Sequence, residues 1–424
     1  MPSVCFYFQV HQPYRLASHS VVTMNDTTTF FDDEKNGAVM KKVAEKCYLP
    51  TNAKILSLIK KYKGRFRVSY AITGVAIEQM QRYSPETLKS FQELAKTGCV
   101  EFIGETYYHS LSAVYDQEEF RFQVKKHSDL MESLFGQRPQ IFRNTELIYS
   151  NEIGHMANDL GFKGVIAEGA DDILAWRSPN YVYEVPRRFE GEQTPKLLLK
   201  NYRLSDDIAF RFSNQGWESY PLTADTFASW VHTVSGAGET VNLFMDYETF
   251  GEHQWASTGI FDFLEHLPEK IFAHPDWDFL TPSEVIQRYN SVAELPFHRL
   301  TSWADEDRDL TAWQGNNMQQ VSLLRAFNLA SYVRDLESPE ALDTWRKLLT
   351  SDHYYYMCTK WFADGDVHAY FSPYDSPYEA FINFMNAYKK FVTQYSIGQN
   401  VSYALQQPIW QSSSPELTAF LASS

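Results

Sequence analysis

Seven short runs rich in Val, Ile, Leu and Phe recur through the first 250 residues, and most of them stop at a charged or polar side chain. They occupy residues 4–10, 66–73, 100–104, 140–144, 164–168, 196–201 and 241–246. Their length and their β-branched and aromatic content fit buried strands. Helix-like stretches separate several of them. Residues 85–97 have Ser84 at the N-cap, Pro85 at the first helical position and Gly98 as a stop, and Gln117–Phe135 ends at Gly136. Strands alternating with helices imply a mostly parallel sheet. Seven repeats without a Rossmann glycine fingerprint predict an α/β chain built as a (β/α)7 barrel, a distorted relative of the TIM type. The interval 169–195 is less regular, and residues 181–186 are expected to form an extra hairpin arm.

Beyond residue 290 the periodicity changes. Residues 316–336, 339–350 and 377–396 read as helices, with Leu323, Leu324, Phe327, Leu329 and Ala330 at helical spacing. A chain of 424 residues exceeds one compact core, so a barrel over 1–290 and a helical domain over 291–424 completing its cleft are expected.

The ends of the runs carry the chemistry. The first is followed by His11-Gln12-Pro13, the third by Glu105, the fourth by Arg143 through Glu146; the fifth ends at Glu168, and the seventh runs into Asp246-Tyr247-Glu248. In a barrel all these positions project onto one face, where catalytic groups gather. Each has a plain structural explanation taken alone. A carboxylate closing a strand commonly caps a helix, Glu146 could pair with Arg143, and a lone His11 is more often a bonded core histidine. Their coincidence on one rim is what points to a site. Paired carboxyls suit glycosidic cleavage, one protonating the leaving oxygen while the other attacks or activates water. A metal held by His11, His109 and Asp246 is the competing reading, although no HxxxH or HExxH spacing is present.

Charge narrows the substrate. A net charge of −15 with no long Lys/Arg cluster excludes a nucleic-acid partner and suits a neutral ligand. Aromatics at 16% serve a large core first, and would also line a carbohydrate cleft by packing on sugar faces. Cys5, Cys47, Cys99 and Cys358 are scattered, so buried reduced thiols are expected. No basic-then-apolar leader and no bilayer-length apolar run is seen, which predicts a cytoplasmic protein with no membrane partner. A homo-oligomer is left open.

These residues resemble glycoside hydrolase family 57, in particular its shorter α-amylase-like members. His11-Gln12-Pro13 is similar to the first motif of that family, Gly98 through Gly104 to the second and Phe142-Arg143-Asn144-Thr145-Glu146 to the third. Met245 through His253 is similar to the fourth, the most specific, and Trp303–Asp309 running into residues 312–316 is taken as the fifth. The resemblance implies a (β/α)7 barrel, a retaining mechanism and no metal or cofactor. It implies Glu146 as nucleophile and Asp246 as acid/base. It places His11, Glu105, His109 and Glu248 around the donor sugar, and Trp303 and Asp309 as the helical domain's share of the cleft. Arg143, Tyr107 and Trp255 complete the expected substrate-binding set. Asp246 should be kept protonated by burial or by a negative neighbour, and Glu146 ionised by Arg143 or a histidine. A retaining pair should stand about 5–5.5 Å apart. The expected substrate is an α-1,4-glucan cleaved as an α-amylase does. A 4-α-glucanotransferase is the near alternative; branching activity, a metal-dependent polysaccharide deacetylase and a silent glucan-binding protein stand further off.

Overall fold

The computed structural model describes residues 1–18, 29–360 and 372–397, so the parts of the expected helical domain at 361–371 and 398–424 lie outside the described residues. The strands in chain order are β1 (Ser3–Val10), β2 (Val68–Ile72), β3 (Val100–Phe102), β4 (Ile141–Arg143), β5 (Gly164–Glu168), β6 (Tyr183–Glu184), β7 (Lys196–Lys200), β8 (Thr240–Asp246) and β9 (Asp278–Phe279). Each of the seven expected runs coincides with one of these strands, β1 and β8 beginning one residue earlier than expected. The fold is α/β, with two largely parallel sheets ordered β3-β2-β1-β8, with β9 beside β1, and β4-β5-β7-β6. The expected hairpin arm is present as a short strand of two residues, β6, which lies antiparallel on the next strand, β7. Strand β9 escaped the sequence reading because two residues are too few to show a period.

The sheets touch at two seams. Gly104 N–H donates to the Ile141 carbonyl at 2.9 Å and Arg143 N–H to the Gly104 carbonyl at 2.8 Å, joining the end of β3 to β4. At the other seam Asn201 N–H donates to the Asn242 carbonyl at 2.9 Å. These are single contacts rather than full ladders.

Side-chain alternation then sorts every strand into two faces. Cys5, Tyr7, Ala71, Ile103, Ile141, Ile166, Leu198 and Phe244 form one buried cluster to which both sheets contribute, the inner face. Their sequence neighbours face outward. Val4, Phe6, Phe8, Tyr70, Leu243 and Met245 pack under the flanking helices of the first sheet. Phe142, Val165, Leu197 and Leu199 pack in one continuous cluster with Leu323, Trp345, Phe384 and Phe391 of the C-terminal helices. Those helices therefore have no separate core.

The expected helix over 316–336 is broken into Asn317–Phe327 and Ala330–Asp335. Asn328 ends the first, as a short amide that competes for the backbone tends to do. The other two run Pro339–Leu348 and Pro377–Gln394. All four cysteines are buried free thiols.

Candidate active site

Carrying the inner-face parity past the apolar layer gives Gln9, Glu105, Arg143, Glu168, Lys200 and Asp246. One polar layer thus sits on the apolar one. Gln9 lies opposite Asp246 in the β1–β8 register and donates to both oxygens of Glu105 at 3.2 and 3.3 Å. Glu105 lies 3.7 Å from the Arg143 guanidinium and 3.5 Å from His109 Nδ1. His109 Nε2 completes the path to Glu146 Oε1 at 3.0 Å.

Glu146 sits in the tight turn after β4 with φ 57° and ψ 26°, a left-handed conformation that non-glycine residues adopt at a cost of about 1–3 kcal/mol. Leu147 after it and His109 opposite it also have positive φ, 51° and 53°. The turn is held by Leu147 N–H on Asn144 O at 3.0 Å, by Asn144 Nδ2 on Ile148 O at 3.0 Å, and by Leu147 itself, buried in the inner cluster. The Glu146 carboxylate receives three donors: His109 on Oε1, Ser351 Oγ on Oε1 at 3.3 Å, and the Trp303 indole on Oε2 at 2.8 Å. One-fifth of its side chain stays open, so a ligand can reach it. Burial alone would raise its pKa, but the His109 hydrogen bond and the charges of His109 and Arg143 bring it below the usual value. His109 is correspondingly raised to about 9, since Glu105 and Glu146 outweigh its burial.

Asp246 ends β8 and accepts no side-chain hydrogen bond among the described residues. Burial and the charge of Glu146 push its pKa up to about 6, against the opposing charge of Arg143 and Lys200. The two acids follow strands of different sheets, and the charge of Glu146 reaches Asp246 across the space between them. Glu248, next on the same turn, is raised to about 8 by burial and by Asp246, although Tyr48 donates to it and Gln12 approaches at 3.4 Å.

His11 stacks on His109 with ring centroids 3.9 Å apart; its Nδ1 meets Thr73 at 2.9 Å and its Nε2 meets Asp352 at 3.0 Å. Burial and the His109 charge lower its pKa despite Asp352. Asp352, only partly exposed, is held well below the usual carboxylate range against its desolvation by His11, through charge and hydrogen bond, and by His109. Among the described residues, the group whose ligand atoms come within 4.8 Å of one another is His11, His109 and Asp352. The expected metal alternative is thereby corrected: Asp352 replaces Asp246 in that group. In that group His11 bonds Asp352 and Thr73, and His109 bonds Glu146 through Nε2, while the two imidazoles only stack on each other.

Four expected substrate contacts fall elsewhere. Glu105 has no exposed surface, so it stands behind His109 and Arg143 instead of lining the cleft. Tyr107 turns its hydroxyl to Glu78 at 2.8 Å and packs with Tyr14, Val75 and Tyr108 under Lys126. Trp255 is 62% exposed on the loop after β8, and among the described residues its side chain makes no hydrogen bond to the carboxyl pair. Asp309 closes its own turn, accepting from Thr311 N–H at 2.8 Å and from the Thr311 hydroxyl at 2.5 Å. Arg143 is wholly buried, over the Trp303 ring at 4.9 Å. Ser351, Asp352, Lys200 and Tyr48 were missed. Alternation would have found Lys200, but nothing in the sequence marks the other three.

An α/β scaffold that brings together two carboxyls whose pKa values are displaced in opposite directions has the arrangement of enzymes that work with paired acids. The profile described as Glycosyl hydrolase family 57 matches residues 5–297. A Methanocaldococcus jannaschii protein named "Putative alpha-amylase" is 43% identical over 397 residues, covering 90% of this chain and 82% of the relative. This chain belongs to glycosyl hydrolase family 57. Among solved structures, the 4-alpha-glucanotransferase of Thermococcus litoralis superposes with TM-score 0.62 at 15% identity, over 83% of this chain. This chain spans only 56% of that protein's length. The branching enzyme of Pyrococcus horikoshii gives 0.61 at 13%, covering 94% and 95% of the two chains, and the alpha-amylase AmyC of Thermotoga maritima gives 0.58 at 13%, again over 94% and 95%. At these identities the likeness is one of fold. No helix among the described residues is long and apolar enough to cross a membrane.

Proposed function

We propose that this protein is a retaining glycoside hydrolase acting on α-1,4-glucans in the manner of an α-amylase, with Glu146 as nucleophile and Asp246 as acid/base. The observation that carries this reading is the unequal setting of two neighbouring carboxyls: three donors on Glu146 hold its pKa below the usual value, while Asp246, buried beside the charge of Glu146, is raised to about 6. On this reading Asp246 gives its proton to the glycosidic oxygen while a Glu146 oxygen attacks the anomeric carbon. The C–O bond breaks, its electron pair leaves with the protonated oxygen, and a glycosyl-enzyme forms. Asp246, now a carboxylate, takes a proton from water; the hydroxide oxygen attacks the same carbon and Glu146 is released. Two displacements leave the anomeric configuration unchanged. The scaffold is read as a (β/α)7 barrel over 1–290, with 291–424 closing the cleft. Family membership and the named relative support a glucan as substrate.

The test is incubation with maltoheptaose, sizing the products and following the first-formed anomer by NMR. Only shorter sugars, released as the α-anomer, are expected. Longer sugars would mean transfer to a sugar hydroxyl instead of water. The β-anomer would overturn retention, and binding without turnover would leave a glucan-binding protein.

A further inference from the structure

Trp303 stands just beyond the 5–297 span of the family profile, yet it makes two contacts to Glu146. The segment before it pairs with the Glu146 turn: Tyr149 and Thr301 exchange N–H to carbonyl bonds at 3.0 Å each way. Trp303 N–H then donates to the Glu146 carbonyl at 3.2 Å, and its indole Nε1–H to Glu146 Oε2 at 2.8 Å. The loop that follows is tied back by Ser302, through N–H on the Arg308 carbonyl at 3.0 Å and Oγ on the Asp309 carbonyl at 2.6 Å. The ring has a cation on two sides, Arg143 at 4.9 Å and Lys200 at 5.5 Å from its centroid. A flanked ring tethered at both main chain and side chain has little rotational freedom.

The tether acts where strain is stored. Glu146 holds a left-handed backbone without glycine's freedom, and such conformers persist only when their surroundings over-determine them. His109 and Ser351 engage Oε1 and leave Oε2 to the indole. With one donor set on each oxygen, the carboxylate plane is fixed as well as its position.

We propose that Trp303 is a positioning residue of the nucleophile, acting through Glu146 rather than as a sugar-stacking platform. The inference rests on Glu146 being the nucleophile, and it assigns the control of that group to a segment outside the strands that carry the acids. The charged groups facing Glu146 are His109 from the loop after β3, Arg143 from β4, Asp246 from β8 and Asp352 from the C-terminal region. Trp303, like Ser351, is a neutral donor to Glu146, and its loss should leave those charges in place.

The test compares Trp303→Phe with wild type on maltoheptaose across pH. Losing one hydrogen bond to a carboxylate should lower kcat about 10- to 100-fold. KM should change little, and the acidic limb of the profile should move upward because the ionised form of Glu146 has lost a donor. A ring that only stacks on sugar would raise KM and leave the acidic limb in place, which overturns the proposal. An unchanged kcat and limb overturns it too. Should Trp303→Phe fail to fold, β-(3-benzothienyl)alanine at this position keeps the two-ring shape without the N–H donor and is expected to give the same shift. The underlying reading fails separately: a wild-type protein inert on maltoheptaose, or Glu146→Gln with full activity, removes the nucleophile assignment and this inference with it. An inactive Glu146→Gln beside an undisturbed Trp303→Phe removes the inference alone.

Discussion

Burial pushes the carboxyls of Glu146 and Asp246 in the same direction, yet their pKa values are displaced in opposite directions, that of Glu146 downward and that of Asp246 up to about 6. Arg143 does not explain the difference, because its positive charge favours ionisation of both. The difference lies in direct donors. Glu146 receives His109, Ser351 and Trp303, whereas Asp246 accepts no side-chain bond among the described residues and feels the negative charge of Glu146. Two acids, one in the turn after β4 and one closing β8, are thus set apart by hydrogen-bond donors that come from loops and from the C-terminal segment.

The strongest way to break this comparison is Glu146→Gln, which keeps the shape and removes the attacking charge. Turnover of maltoheptaose should fall about 10⁴-fold or more, as when other covalent nucleophiles are removed. The pKa of Asp246 should drop below about 6 at the same time, seen in carboxyl carbon NMR, because the neighbour that raises it is neutral. Asp246→Asn comes next. Loss of a general acid/base should cost about 10²- to 10⁴-fold. In wild type, Asp246 must be protonated, so activity should decline as pH rises through about 6, and that alkaline limb should vanish in the variant. His109→Gln tests the donor side. It removes a cation and keeps one donor, so kcat should fall about 10- to 100-fold with the acidic limb displaced upward.

Glu248→Gln sharpens the comparison with a third acid, and its effect is on stability. With a folded pKa of about 8 against an ordinary 4.5, Glu248 gives the folded protein an extra proton between those values. Its contribution is present below about pH 4.5 and is lost as pH rises through about 8. Glutamine cannot ionise, so the variant's Tm relative to wild type should increase from pH 6 to pH 9, by a few degrees at most in thermal denaturation. A difference that stays flat across that range would show that Glu248 is already ionised.

The strands and the acids at their ends were legible because period-two alternation and the abrupt change from apolar to charged residues are local signals. Asp246, Arg143 and Glu105 could be placed that way. Exposure could not. Glu105 ends its run as Asp246 does, yet Gln9 and Arg143 close over it. Tyr107 is drawn away by Glu78, a helix residue far back in the chain, and Asp309 satisfies itself two residues on, at Thr311. Ser351 and Asp352 follow a helix and bear no strand-end signature; only tertiary packing brings them against His109 and His11. The expected fifth motif was accordingly half placed. Trp303 reaches the site, whereas Trp313 is a core residue at 1% exposure.

The continuous apolar cluster that runs from Phe142, Val165 and Leu197 into Leu323, Trp345 and Phe391 also determines how the molecule comes apart. Cooperative unfolding units follow shared cores. The sheet that carries the Glu146 turn and the C-terminal helices, between two of which Ser351 lies, belong to one such unit, so neither half is expected to melt while the other keeps its packing. Cutting the chain near residue 297 would divide a foldon, and heating should abolish activity and the tertiary signal of the C-terminal helices in the same transition.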